Sequence, residues 1–341
     1  MECRFLWVDS DNTSTAPFFV AITVLAICIA LPGNILTAHI ILHKHDLRNE
    51  PTYLLIASVC IADVLVASIV QPLFICTMLL GTRHYCSLDN VYYTSAWISA
   101  MASGVGVLPI TLERYMYIVY PLKYTFYVTK KRAQVAITLL WVMSLAFGVL
   151  PLFWYDSLLN HSISLFIVLL ISFLMVCSYS KIYSKVQNVV PVHQDSQTTG
   201  NKNVGRRRKN RLQGQATRTV FFVVLSFFLC WFPYLMISFI ISLYNYDNTD
   251  SLTNFTRDSI MMKLYWGCLL VGYCNSAINV FIYGRKNSVL RREISNYFRK
   301  IVRRNQGDLI TTAIAGTLRL YSRKESKRKK EMNSEERNSS I

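Results

Sequence analysis

The stretch that decides the fold is Tyr92–Tyr120, YYTSAWISAMASGVGVLPITLERYMYIVY. It is mostly apolar, and the charged pair Glu113-Arg114 lies near its end. Helical steps back from Arg114 place these side chains on one face: Ile110, Val107, Ser103, Ala100, Ala96 and Tyr93. Two ionised groups at the end of an apolar helix either mark the membrane boundary or face protein and serve a function. The neighbouring segments favour the functional interpretation.

The composition is typical of a protein that crosses a membrane several times. Of 341 residues, 52% are hydrophobic and 16% are charged, whereas soluble domains carry roughly a quarter charged residues. Seven apolar runs, numbered here as spans 1 to 7, are long enough to cross a ~30 Å hydrocarbon core as helices. They are roughly Pro17–His43, Thr52–Leu80, Asp89–Tyr120, Ala133–Trp154, Ser162–Val186, Thr217–Tyr244 and Ile260–Tyr283. We therefore predict an all-α membrane protein with a seven-transmembrane helix bundle over residues 17–284.

Basic residues predict the orientation, because Lys and Arg are retained on the cytoplasmic side. They are dense in the connections after spans 3 and 5 and in the tail. The opposite side carries Arg4, Arg83, Arg257 and Lys263. We predict a plasma-membrane protein with an extracellular N-terminus, residues 1–16, and a cytoplasmic C-terminus. The formal charge of +17 then reflects topology and anionic lipid, and no nucleic-acid partner is expected.

The tail is predicted to have two parts. Residues 285–303 read as an eighth, basic amphipathic helix along the cytoplasmic face of the membrane, with Leu290, Ile294 and Phe298 on its apolar side. Residues 304–341 are polar and charged, and we predict a disordered cytoplasmic tail.

Span 2 carries Asp63, a carboxylate far from either membrane surface. Such a group is costly in hydrocarbon unless it is paired, hydrated or protonated. Polar candidates at comparable depth are Asn34, Ser103, Asn275, Ser276 and Asn279. Neutral oxygen ligands of this kind suit a hard monovalent cation or a water network rather than a transition metal. A purely structural hydrogen-bond network without an ion is the alternative.

Spans 6 and 7 each contain an unusual polar or aromatic pattern. Pro233 removes a backbone hydrogen bond from span 6, and Trp231 and Tyr234 lie beside it. In span 7, Asn275, Asn279 and Tyr283 fall on one face. Glycosylation sequons at Asn12, Asn160 and Asn254 lie on the side assigned as extracellular.

Taken together, these residues resemble the rhodopsin-like (class A) G-protein-coupled receptors over all seven spans. The matching positions, in the family's order, are Gly33-Asn34, Asp63, Glu113-Arg114-Tyr115, Pro121-Leu122, Trp141, Pro151, Cys230-Trp231-Phe232-Pro233, Asn279 and Tyr283. The resemblance implies a receptor that transmits binding of an extracellular ligand to a heterotrimeric G protein by outward movement of span 6. Arrestin and receptor kinases are further implied partners, and no cofactor is required.

The resemblance also implies roles for single residues. Arg114 holds the inactive state through Glu113 and later meets the G protein, Trp231 and Pro233 pass the ligand signal, and Tyr179 and Tyr283 support the open state. Asp63 with its polar neighbours is similar to the family's allosteric sodium pocket. The implied ligand cavity is aromatic and uncharged, with Tyr92, Tyr93, Ala96, Trp97, Tyr234 and Tyr273 around it. Such a cavity suits a lipid, a neutral small molecule or the apolar end of a peptide.

The sequence departs from the family pattern in several places. Val280 replaces the proline after the span-7 asparagine, which predicts a weaker bend. Gln213 stands where many members have an acidic partner for the arginine, which predicts high basal activity. Cys86 lies about a turn before the usual disulfide position, with Cys3 or Cys268 as candidate partners. Ala96 replaces the ligand-pairing aspartate of amine receptors, so a monoamine ligand is not expected.

A short second extracellular loop without cysteine, and Ile171 at the usual span-5 proline position, are similar to the melanocortin, cannabinoid and lysolipid branch. Other functions fit less well. A retinal protein needs a lysine inside span 7, and a transporter needs a chain of ionisable groups, whereas Asp63 stands alone. No paired carboxylates, Ser-His arrangement or metal-binding set in the spans predicts an enzyme. A receptor-like protein that has lost signalling remains an alternative.

Overall fold

The computed structural model describes residues 15–80, 86–153, 157–189, 200–247 and 259–300. Within these ranges, seven helices are long and apolar enough to cross a membrane, which confirms the predicted spans. They are Ala16–His43, Pro51–Leu65 continued through Val66–Val70 and Gln71–Leu80, Cys86–Val119, Lys130–Phe153, Ser157–Val189, Gly200–Asp247 and Ser259–Lys286. Two short helices, His45–Arg48 and Pro121–Tyr127, follow spans 1 and 3. A helix satisfies its backbone hydrogen bonds within one segment, as hydrocarbon requires.

The spans form a bundle in which spans 2, 3 and 7 occupy the interior. Span 1 packs against spans 2 and 7, span 3 against spans 2, 4 and 5, and span 6 against spans 5 and 7. In its most apolar window, 67% of span 2 is buried, compared with 22% for each of spans 4 and 5. Spans 4 and 5 therefore direct most of their apolar side chains outward, as lipid-facing helices do, and the polar groups collect inside.

Span 2 contains a π-helical turn, Val66–Val70, between its two α-helical parts. Pro72 follows this turn and has no N–H to donate to the carbonyl group of Ser68. A π turn is a local widening that accommodates such an interruption of the helical ladder. Immediately after it, Gln71 is fully buried and its Nε2 donates to the backbone oxygen of Tyr273 at 3.1 Å. The turn thus joins span 2 to span 7, a contact that the sequence pattern did not indicate.

Span 6 extends well beyond the predicted segment. The prediction began at Thr217, whereas the helix begins at Gly200 and includes the basic cluster 206–211. This cluster lies before the membrane span, in the connection between spans 5 and 6 as predicted, and the connection is helical there. Hydropathy marks only the part that suits hydrocarbon, Thr219–Leu243. A helix that continues into water needs no apolar run, so its polar extension gave no signal.

Span 7 is a continuous helix from Ser259 to Lys286, through Val280. Residue 287 then interrupts the helix, and the backbone is helical again over 288–300. The Asn287 side-chain oxygen accepts hydrogen bonds from the backbone N–H groups of Val289 and Leu290, at 3.2 and 3.1 Å. This is an N-cap interaction that starts a new helix. The eighth helix therefore begins at 288 instead of the predicted 285, because Arg285 and Lys286 still belong to span 7.

Gly33 lies at a close contact between spans 1 and 7, which can be tested by substitution. A Cβ atom added to Gly33 would overlap both γ-methyl groups of Val280, so spans 1 and 7 approach closely only because Gly33 lacks a side chain. We expect Gly33→Ala to lower stability by about 1–3 kcal/mol through overpacking. Thermal unfolding of the purified protein in detergent measures this.

The compensating variant makes the test specific. Val280→Ala removes the two methyl groups that would overlap, so the double variant Gly33→Ala/Val280→Ala should recover most of the loss. Gly284, whose added Cβ would meet no atom within 4 Å, supplies the control Gly284→Ala. An equal loss at Gly33 with and without Val280 would contradict the proposed contact.

Candidate functional site

A polar cluster around Asp63 joins spans 2, 3 and 7. Asp63 has no solvent exposure. Its Oδ1 accepts hydrogen bonds from Ser276 Oγ at 2.8 Å and from Ser103 Oγ at 3.4 Å, and its Oδ2 accepts one from Asn279 Nδ2 at 2.9 Å. Ser276 and Asn279 are three residues apart, so one face of span 7 supplies both donors. The carboxylate is thus held by donors from two neighbouring helices.

Two further residues predicted for this cluster lie near it in a different way. Asn34 donates from Nδ2 to the backbone oxygens of Ala30 at 2.9 Å and Ser276 at 3.1 Å, and not to Asp63. Asn275 is buried, but no hydrogen bond joins it to the carboxylate in the described part of the chain. The side-chain oxygens of Asn34, Asn275 and Asn279 are buried, and they have no hydrogen-bond partner among the described residues.

These unpartnered oxygens decide how well the cluster fits a cation. Buried polar atoms normally have partners, and exceptions point to water or an ion. One carboxylate, two hydroxyl groups and several amide oxygens form an oxygen donor set, which suits a hard cation. The residues therefore fit the sodium ion that the resemblance implies, with Asp63, Ser103 and Ser276 as the residues that would hold it.

A second polar site lies near the C-terminal end of span 3, at the pair Glu113-Arg114. The Arg114 side chain is 9% exposed and that of Glu113 is 4% exposed, and Arg114 Nε lies 3.0 Å from Glu113 Oε2. These two atoms are close enough for an ion pair but are not aligned as a hydrogen bond. The hydrogen bonds to Glu113 and Arg114 come from residues outside the Glu113-Arg114-Tyr115 motif.

Thr52 and Tyr124 supply those hydrogen bonds. Arg114 donates from Nη2 to Thr52 Oγ1 at the start of span 2. The Tyr124 hydroxyl, in the short helix after span 3, donates to Glu113 Oε1 at 2.8 Å. Burial and the Glu113 carboxylate raise the pKa of Tyr124, so its hydroxyl remains a donor. Neither contact was predicted, because Thr52 is distant in sequence and Tyr124 carries no motif signal.

Tyr115, Tyr179 and Tyr283 are also predicted for the Glu113-Arg114 end of the bundle, and they make other contacts. Tyr115 does not join the pair and packs edge-on against Tyr120, with ring centroids 5.9 Å apart. Tyr179 packs edge-on against Phe221 of span 6 at 5.2 Å. The hydroxyl groups of Tyr179 and Tyr283 are buried, and neither has a hydrogen-bond partner within the described ranges. Both phenols therefore have unused hydrogen-bonding capacity.

An aromatic cavity lies between spans 3, 5, 6 and 7, toward the end of the bundle that is far from Glu113-Arg114. Its volume is about 70 Å³, which is small beside typical ligand pockets of roughly 300–1,000 Å³. All six residues predicted around a ligand line it, namely Tyr92, Tyr93, Ala96, Trp97, Tyr234 and Tyr273. A ligand of ordinary size therefore requires the lining side chains to move.

Trp231 connects the cavity to the centre of span 6. Its ring lines the cavity, and ring centroids lie 6.3 Å from Phe227, 5.9 Å from Tyr234 and 6.3 Å from Tyr273. Pro233 lies inside the same helix. A displaced ligand-facing ring would therefore press directly on the segment whose backbone ladder the proline interrupts.

The predicted glycosylation and disulfide residues are only partly described. Asn160 lies inside span 5, and its Nδ2, the atom that would carry a glycan, is buried. This geometry does not fit an N-linked glycan there. Cys268 is a free cysteine, so it does not form the alternative disulfide in this structure. Asn12, Asn254, Cys3 and the side chains of Cys86 and Gln213 lie outside the described part.

Comparison with known proteins identifies a family that the sequence matches. The sequence matches the profile described as "7 transmembrane receptor (rhodopsin family)" over residues 33–161 and 154–283. Melanocortin receptor 5 of Mus musculus is 26% identical over 278 residues, which cover 77% of this chain and 79% of that receptor. Cannabinoid receptor 2 of Homo sapiens is 28% identical over 292 residues, covering 80% and 75%. The Alpha-1A adrenergic receptor of Oryzias latipes is 25% identical over 339 residues, covering 85% and 68%. These receptors bear different names, so overall similarity does not identify a ligand.

Proposed function

Because the chain belongs to the rhodopsin family of seven-transmembrane receptors, we propose that it couples an extracellular ligand to a heterotrimeric G protein by outward movement of span 6. It is a multi-pass membrane receptor and not an enzyme. The N-terminus lies outside the cell and residues 304–341 lie in the cytoplasm, as the distribution of Lys and Arg supports. The helix at 288–300 lies along the inner leaflet.

The observation that carries this proposal is the buried Glu113-Arg114 pair with its two outside partners. Thr52 holds Arg114 toward span 2, and Tyr124 holds Glu113 toward the short helix after span 3. In this arrangement the guanidinium group is nearly inaccessible. A G protein can contact Arg114 only after these hydrogen bonds open. We therefore propose that this arrangement is the inactive one of two states, between which a ligand shifts the population.

The cluster at Asp63 gives the proposal an allosteric element. We assign it as a sodium site, in which the ion would neutralise the buried carboxylate. Span 7 supplies Ser276 and Asn279 and span 3 supplies Ser103, so binding there depends on the spacing of both helices. A ligand or ion that binds one arrangement better shifts the equilibrium by its difference in affinity.

G-protein dissociation in cells tests the proposal. Cells expressing the full chain at the surface are scanned across the main G-protein classes, with lipid, peptide and nucleoside ligand pools and without ligand. A signal above that of empty membranes, basal or ligand-dependent, supports the receptor function. Silence from a well-expressed surface protein under every pool would favour the signalling-deficient alternative, to which Val280 and the altered cysteine pattern also point.

The hydrogen bonds to the charged pair give a second expectation. Thr52→Val and Tyr124→Phe each remove one hydrogen bond to an ionised group, worth roughly 1.5–3 kcal/mol. If these bonds hold the inactive state, basal G-protein signal should rise on the order of tenfold at matched surface expression. The readout is basal dissociation in the absence of ligand.

Thr125→Val is the matched control, because the Thr125 hydroxyl is exposed and donates to the Leu122 backbone oxygen. It should leave the basal signal unchanged. A fall in basal signal in Thr52→Val or Tyr124→Phe would contradict the assignment of these bonds to the inactive state.

A further inference from the structure

The walls of the aromatic cavity carry no charged side chain. Of the residues that line it, only tyrosine, tryptophan and serine bear polar side-chain atoms, and the others are apolar. An ionised ligand group placed among them would lose its hydration without gaining an ion pair. Among the described residues at this end of span 7, Lys263 carries a charge, but it is exposed and does not line the cavity. The cavity therefore disfavours cations and anions alike.

The shape of the cavity follows one face of span 3. The lining residues of that helix recur turn after turn: Tyr92, Tyr93, Ala96, Trp97, Ala100, Met101, Gly104 and Val105. Thirteen residue steps correspond to about 20 Å along a helix. With a volume of about 70 Å³, the space is long and narrow. The small residues Ala96, Ala100 and Gly104 leave room for a thin ligand but not for a broad ring system.

Phe227 closes the inner end of this space. Its ring packs so closely on Gly104 that an added Cβ would overlap it. Seven aromatic residues therefore line a narrow apolar channel that ends at the centre of the bundle, with Trp231 beside the closed end. A single unbranched hydrocarbon chain matches this elongated form once the lining side chains separate, and it requires less widening of the cavity than a branched or peptide chain.

The hydrogen-bonding groups of the walls define the polar part of the ligand. Tyr92 and Tyr273 bond to each other through their hydroxyl groups. Ser164 donates to the backbone oxygen of Asn160 at 2.7 Å. Trp231 is 9% exposed, and its Nε1 has no hydrogen-bond partner in the described part of the chain. This lining residue thus has a buried donor for which the described residues supply no acceptor.

From these observations we infer that the cavity binds an uncharged lipid with one unbranched hydrocarbon chain and a hydrogen-bond acceptor for Trp231 Nε1. The inference names the ligand class for the receptor proposed above and rests on that proposal for its signalling role. Entry requires the lining side chains to separate, because the closed volume is smaller than the lipid. Binding itself is independent of G-protein coupling.

Photo-crosslinking tests the inference without any signalling readout. The full chain is reconstituted in lipid nanodiscs and exposed to three diazirine probes with the same C18 chain. Their head groups are a primary amide, a sulfonate and a trimethylammonium group. Mass spectrometry then maps the labelled residues. We expect saturable labelling of the cavity walls by the amide probe, at least about tenfold above the charged probes, since burying an unpaired charge costs more than 1.4 kcal/mol.

Two variants and one control locate the site. Ala100→Phe fills the channel and should remove the saturable labelling. Trp231→Phe keeps an aromatic ring but removes the donor, and should abolish the preference for the amide probe over a C18 probe that lacks a head group. Val142→Phe changes a lipid-facing residue of span 4, which is 55% exposed, and should change nothing. Equal labelling by the charged probes, or labelling confined to lipid-facing residues, would overturn the inference.

The same preparation separates the two proposals. Saturable cavity labelling, together with no G-protein signal from any ligand pool or in the absence of ligand, would remove the receptor function and keep the lipid site. Activation by a charged ligand or a peptide, without labelling by the amide probe, would remove the lipid site and keep the receptor.

Discussion

Replacing Arg114 by alanine is expected to reduce G-protein activation to the level of empty membranes in a receptor that signals. The guanidinium group is buried against Glu113 and Thr52 at the end of span 3. In the proposed mechanism it becomes accessible when span 6 moves and then contacts the G protein. Losing a charged contact of this kind costs several kcal/mol, which corresponds to a loss of signal of well over about tenfold.

The substitution also threatens folding, so the test needs a second variant. Removing one partner of a buried ion pair costs roughly 3–5 kcal/mol, because the other charge is left uncompensated. The double variant Glu113→Gln/Arg114→Ala removes both charges and should restore surface expression without restoring the signal. Lys131→Ala, which removes an exposed charge at the start of span 4, is the control. A strong signal from the well-expressed double variant would contradict the role of Arg114.

Replacing Asp63 by asparagine is expected to abolish the stabilisation of the protein by sodium. Asp63 is the fully buried carboxylate that accepts hydrogen bonds from Ser103, Ser276 and Asn279. If sodium binds there, raising its concentration to about ten times its Kd should stabilise the folded protein by about 1.4 kcal/mol. The melting temperature should then rise by a few degrees. The amide of asparagine carries no charge, and its NH2 group faces donors, so the increase should vanish.

The measurement compares melting temperatures in sodium chloride and in choline chloride at equal ionic strength. Equal ionic strength matters because it separates ion binding from screening. Ser68→Ala is a suitable control, since its exposed hydroxyl donates to the backbone oxygen of Val64 in its own helix. It should keep the sodium effect. A sodium effect of the same size in Asp63→Asn would show that the ion acts elsewhere and that the cluster is a structural network.

The sequence predicted those features of the structure that the hydrocarbon core of the membrane constrains. Asp63 cannot remain unpartnered at that depth, so its polar neighbours could be inferred from depth alone, and three of the five candidates bond to it. Asn275 and Asn34 are also buried, but within the described residues neither donates a hydrogen bond to the carboxylate. Which of two adjacent polar residues turns toward a partner depends on helix rotation, and periodicity gives that rotation only approximately.

The parts that the sequence could not predict depend on long-range contacts or on backbone irregularity. Thr52 lies 62 residues from Arg114, and nothing local marks it as a partner. The π turn of span 2 has no period of its own, although Pro72 gives a reason for it. The start of the eighth helix depends on one side-chain cap at Asn287, which composition does not distinguish from the surrounding polar residues.

The continuous helix Gly200–Asp247 has a mechanical consequence. Pro233 interrupts its hydrogen-bond ladder, and Gly200 lies 33 residues earlier, or about 50 Å along the axis. A pivot of about 5° at the proline would move the far end by about 4 Å over that length. A small rotation at Pro233 is therefore amplified along the helix. A side-chain displacement that hardly widens the aromatic cavity can move the Gly200 end by about 4 Å, which is the distance between atoms in contact.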